Sequence, residues 1–119
     1  MGAYTLVHEM GHYICIRTYA IELFSQSFDS DRVPQPERRK KPDDYLKDGS
    51  PRLDGNFVTS YAERTPGDEE VVETFTTYML VKDLPKGDSL VVRKIRFFET
   101  MPGYPELRRR IQGIGSKKR

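Results

Sequence analysis

Hydrophobic positions recur at intervals of three and four along the first part of the chain, at Leu6, Val7, Met10, Ile14, Ile21 and Leu23. That is the period of one buried helical face, and it predicts a single long helix from Ala3 to about Phe24. A second stripe, Val71, Val72, Phe75, Tyr78, Met79 and Leu84, predicts another helix. Thr65 as a capping residue, Pro66 at the first helical position and Asp68 at the third mark its start, and Pro85 and Gly87 mark its end. Asp88 stands where it would cap a third helix carrying Leu90, Val91, Ile95, Phe98 and Met101, although Leu90 to Val92 alone would equally fit a strand. Leu107 and Ile111 describe a short last helix after Pro105, with Arg108 to Arg110 turned outward or toward its C-terminal end, where cations are favoured. The expected fold class is mainly α with little or no sheet.

Between about residues 29 and 56 the periodicity is lost. Pro34, Pro36, Pro42 and Pro51, Gly49 and Gly55, and the basic run Arg38 to Lys41 predict a mobile loop, with a short helical turn near Tyr45 and Leu46. Residues 113–119 read as a frayed basic tail. No repeat divides the chain, so 1–119 is read as one domain.

Composition narrows the possibilities further. A chain of 119 residues with 32% charged and 36% hydrophobic side chains builds one modest core, and no apolar run approaches the length of a membrane span. The opening residues lack the pattern of a signal peptide, which places the chain as written in the cytoplasm, or outside the cell if it is cut from a longer precursor. A net charge of +2 does not suggest a polyanionic partner. The basic runs at 38–41, 108–110 and 117–119 lack interleaved aromatics for stacking on bases, so no nucleic acid is expected. Cys15 is the one cysteine; it can make no internal disulfide, and its setting predicts a buried small residue. Tyr78, Phe97, Phe98 and Tyr104 are candidates for a pocket lining, but aromatics at helical spacing are expected in the core.

The chemistry lies in His8, Glu9, Met10, Gly11 and His12, an H-E-x-x-H pattern inside a helical segment. Residues four apart share a helical face, so both imidazoles can reach one ion while Glu9 reaches water beside it as a general base. The competing reading is two helix histidines beside an ordinary surface glutamate, but these are the two histidines of the whole chain. A catalytic zinc needs a third protein ligand and an open position. With no further histidine, that ligand is a carboxylate, and the candidates at the second helix start are Asp68, Glu69, Glu70 and Glu73. Glu69 and Glu73 share a face, which lets Glu69 bind the metal while Glu73 accepts the outer N–H of a ligating histidine. Glu70 is the second choice. Acids that only favour a helix N-terminus are the alternative.

Three stretches carry a resemblance: TLVHEMGHY from Thr5 to Tyr13, NFVTSYAERTPGDEEVVETFTTYML from Asn56 to Leu80, and KIRFFETMPGYPELRRRI from Lys94 to Ile111. Together the chain resembles the bacterial zinc metallopeptidases related to the catalytic domain of anthrax lethal factor, within the gluzincins. The resemblance implies the helical portion of a zincin-like domain, with Zn2+ on His8, His12 and Glu69, Glu73 supporting a ligand, and Tyr61 donating to the oxyanion of the transition state. It implies a peptide or protein substrate, hydrolysed by a zinc-activated water with Glu9 as base. In such proteins a sheet precedes the active-site helix, and its edge strand holds the substrate as an added strand. Seven residues before His8 cannot supply it. The chain is therefore expected to be a partial or reduced member, with self-association or a partner at the face the sheet would cover. The alternative function is a zinc-binding domain that does not cleave by itself or needs a partner to do so.

Overall fold

The computed structural model describes residues 2–28, 57–59, 62 and 68–116. The expected loop at 29–56, the turn near Tyr45, the helix start at Thr65 to Gly67, Tyr61 and the last three residues of the basic tail lie outside the described residues. The described residues are mainly helical and contain no strand. In chain order the elements are α1 (Ala3–Arg17), α2 (Ala20–Phe28), α3 (Asp68–Leu80), α4 (Leu90–Arg96) leading directly into a 3-10 turn (Phe97–Thr100), and α5 (Tyr104–Ser116).

The single long N-terminal helix expected from periodicity is two helices. Thr18 N–H still reaches Ile14 O, but Tyr19 takes a left-handed φ of 62° and its N–H turns back to Ile16 O. Thr18 Oγ1 lies 2.6 Å from Tyr104 Oη, a contact with α5 that holds the break in place. The corner redirects α2 so that Phe24 and Phe28 enter the aromatic layer formed with Phe97 and Phe98. Hydrophobic spacing alone cannot reveal this, because Ile21 and Leu23 continue an acceptable helical period across it.

α3 lies at the centre. Every residue from Glu70 to Met79 is buried, so the helix is enclosed on all sides rather than along one stripe. Its polar threonines tolerate this because their hydroxyls bond back to the helix: Thr74 to Glu70 O, Thr76 to Val72 O and Thr77 to Glu73 O. The helix ends at Leu80, before the expected Leu84, and Pro85 has no N–H to donate to the carbonyl of Val81 four residues back. Side chains of α5 take over the freed carbonyls. Arg108 donates to Tyr78 O, Val81 O and Lys82 O, and Gln112 donates to Met79 O and Val81 O. Arg108 is thus turned inward, against the expectation that the three arginines face out or toward their own helix end; Arg109 and Arg110 are exposed.

α4 is capped by Ser89 rather than Asp88, the Ser89 hydroxyl accepting from Val92 N–H at 3.3 Å. Leu90 to Val92 is helix, not strand. Lys94 on α4 is fully buried with Glu70, its Nζ 2.6 Å from Oε2 and 4.3 Å from the Phe57 ring centroid. Tyr78, Phe98 and Tyr104 are core residues, as their spacing suggests, and Cys15 is buried. None of the described helices is long and apolar enough to cross a membrane. Leu6, Tyr13, Ile16, Tyr19 and Leu23 are exposed, leaving an apolar outer surface along α1 and α2.

Candidate metal centre

His8 and His12 lie on the side of α1 that turns toward the first turn of α3. Their elevation above α3 is set by Gly11, which packs directly on that helix: a β-carbon there would stand 2.7 Å from Phe75 Cδ2 and 3.1 Å from Val72 Cγ1. The glycine inside the motif therefore permits a helix approach that any other residue would push apart.

The approach brings one ligand atom each from His8, His12 and Glu69 within 4.8 Å of one another. Glu69 spans the two imidazoles, Oε1 lying 3.5 Å from His8 Nε2 and Oε2 lying 3.4 Å from His12 Nε2. Those separations exceed hydrogen-bond length. A direct N–H···O hydrogen bond would close to about 2.7–3.2 Å. Two ligands sharing a tetrahedral ion with bonds of about 2.0–2.2 Å sit roughly 3.3–3.5 Å apart, along an edge of the tetrahedron. Both contacts are longer than such a hydrogen bond, and each is made by a different Glu69 oxygen, so they set the carboxylate beside both imidazoles, an arrangement open to a shared ion. Glu69 Oε1 is also buried without a hydrogen-bond partner among the described residues, a state that costs free energy unless a cation answers it. Two imidazole nitrogens and a carboxylate oxygen are a donor set suited to Zn2+, so the residues fit the ion that the pattern implies.

Glu73 meets His8 from the other side. Its Oε2 is 2.9 Å from His8 Nδ1, at hydrogen-bond distance but with the N–H off the line to the oxygen. Tyr4 Oη donates to Oε2 and Thr59 Oγ1 donates to Oε1, both at 2.6 Å. Tyr4, Thr5, His8 and Glu73 line a shallow open cleft beside the centre.

The expected residues divide clearly. His8, His12 and Glu69 converge, with Glu73 behind His8. Glu70, the second-choice ligand, faces away into the core and is held by Lys94. Glu9 is exposed on the next register of α1 and is not one of the converging groups. Tyr61 lies outside the described residues, although Thr59 and Ala62 on either side of it are tied together, Ala62 N–H donating to Thr59 Oγ1 at 3.0 Å. Tyr4, Thr59 and Gly11 were not singled out from sequence. Tyr4 stands four residues before His8 and Gly11 inside the motif, so helical spacing carried a signal for both. Thr59 carried none.

No family model, no curated protein and no solved structure matches this chain.

Proposed function

We propose that the chain is a zinc-dependent peptidase of the gluzincin type, with His8, His12 and Glu69 holding the ion through two imidazole nitrogens and a carboxylate oxygen. The observation that carries this reading is the convergence of His8, His12 and Glu69, one ligand atom from each lying within 4.8 Å of the others, with the Glu69 oxygens 3.5 and 3.4 Å from the two Nε2 atoms. When bound, zinc supplies a Lewis acid that acidifies water and polarises a carbonyl. Glu9 is the general base: it takes a proton from the attacking water and returns it to the leaving amine. That role rests on the place of Glu9 in the H-E-x-x-H pattern, since it is exposed and does not converge with His8, His12 and Glu69. Tyr61 is assigned, by resemblance to those peptidases, as hydrogen-bond donor to the developing oxyanion.

A second reading has its own support. No strand edge lies among the described residues to hold an extended peptide, which favours a zinc-binding domain that needs a partner to cleave.

Elemental analysis of the purified chain tests the metal. One zinc per chain is expected, lost in His8→Ala, His12→Ala and Glu69→Ala; a folded, unmodified chain without zinc refutes the proposal. Cleavage of an unstructured protein, stopped by a chelator and absent in Glu9→Gln that still holds zinc, is expected of the peptidase. Zinc without cleavage would select the second reading.

A further inference from the structure

Glu73 is a buried carboxylate with a hydroxyl on each oxygen. Both hydroxyl contacts are 2.6 Å, the length of charge-assisted O–H···O⁻ hydrogen bonds. The two donors come from different parts of the chain. Tyr4 belongs to α1, one turn before His8, and its ring also lies over the imidazole of His8 with centroids 6.1 Å apart and planes at 22°. Thr59 belongs to the segment before α3, where its hydroxyl also accepts the N–H of Ala62.

A glutamate one helical turn from Glu69 has an alternative that these hydroxyls remove. Glu69 and Glu73 share a face of α3, and a free Glu73 side chain would be drawn to the same ion or would repel Glu69. Held by Tyr4 and Thr59, its Oε2 stays 2.9 Å from His8 Nδ1. A carboxylate there favours the proton on Nδ1 and leaves the Nε2 lone pair directed at the metal.

We propose that Tyr4 and Thr59 are positioning residues of the metal centre, which hold Glu73 against His8 Nδ1 and keep it from serving as a fourth ligand. This rests on the reading of His8, His12 and Glu69 as a metal site. The competing role is structural: Tyr4 and Glu73 would then only fasten α1 to α3.

Affinity for Zn2+ alone separates the two, measured on the full chain by competition with a chromophoric chelator, beside the visible absorption of the Co2+ form. Removing a group that orients a ligating histidine typically weakens metal binding about 10–100-fold, and each hydroxyl acts one step further out. Tyr4→Phe and Thr59→Val are therefore each expected to weaken zinc about 3–10-fold and to shift the Co2+ absorption, with Thr59→Ser restoring both. Wild-type zinc affinity and an unchanged Co2+ spectrum in folded Tyr4→Phe and Thr59→Val, whatever their melting temperatures, would overturn the proposal while leaving the metal site standing. Absence of zinc from the unmodified chain would instead overturn the site itself.

Discussion

Gly11 shows how much one residue can decide. Alanine is the better helix former by about 1 kcal/mol, so in an isolated helix Gly11→Ala would stabilise. Here the new methyl would meet Phe75 at 2.7 Å, and that ring is held by edge contacts with Phe98 and Tyr104. Overpacking of this kind costs about 1–3 kcal/mol, enough to exceed the propensity gain. Gly11→Ala is expected to lower the urea midpoint and, on the proposed metal site, to weaken zinc binding with it, because displacing α1 separates the histidines from Glu69. A variant with unchanged midpoint and affinity would mean that the helices do not approach this closely.

Cys15 makes a different prediction at the same scale. Burial raises its thiol from an ordinary value of 9.0 to about 12, with a hydrogen bond to Tyr104 opposing the shift. Burial pushes the Tyr78 and Tyr104 phenols up as well. In each case the folded chain keeps a proton that the unfolded chain releases sooner, so stability falls as pH rises from about 9 toward 12. Iodoacetamide at pH 8 should label Cys15 only after unfolding, and the urea midpoint should decline between pH 8 and pH 11. Rapid labelling of the native chain would contradict this burial.

At the scale of elements, the end of α3 is built by α5. Arg108 supplies three hydrogen bonds to carbonyls at the end of α3 and just beyond it, and its guanidinium lies over the Tyr78 ring at 5.5 Å. Arg108→Ala is expected to cost about 1–3 kcal/mol by removing this donor from Tyr78 O and Lys82 O, while Val81 O keeps Gln112. The corresponding fall in melting temperature is roughly 5 °C or more, read by circular dichroism. Arg108→Lys should recover only part, since a single ammonium lacks the guanidinium's fork. An alanine variant that melts with the parent would place the end of α3 in other hands. The break between α1 and α2 is of the same kind: a contact between Thr18 and Tyr104, distant in sequence, interrupts a helix whose local pattern would continue.

At the scale of the whole molecule, the Lys94–Glu70 pair joins α4 to the helix that carries Glu69. Both side chains are fully buried. Removing one partner of such a pair costs about 3–5 kcal/mol, because the other charge remains in a medium that cannot solvate it. That is a large part of a stability of about 5–15 kcal/mol. Lys94→Met and Glu70→Leu are each expected to destabilise strongly in urea titrations, and the double variant to recover most of the loss. Additive losses in the double variant would show that the charges act independently.

What could be read from the residues in order was the mainly helical character, the four hydrophobic stripes and the motif that sets His8 and His12 on one face. That Glu69 rather than Glu70 lies on the face toward the histidines followed from its spacing to Glu73. These depend on local periodicity, and a helix of fixed pitch turns periodicity into geometry without reference to the rest of the chain. Only the tertiary structure decided the 3.4 and 3.5 Å separations at Glu69, the close approach at Gly11, the hydroxyls on Glu73, and the inward turn of Lys94 and Arg108. A lysine or arginine on an amphipathic helix carries no local sign of the partner that will bury it. That partner is chosen by which helices pack together, and the packing is settled by the whole core at once.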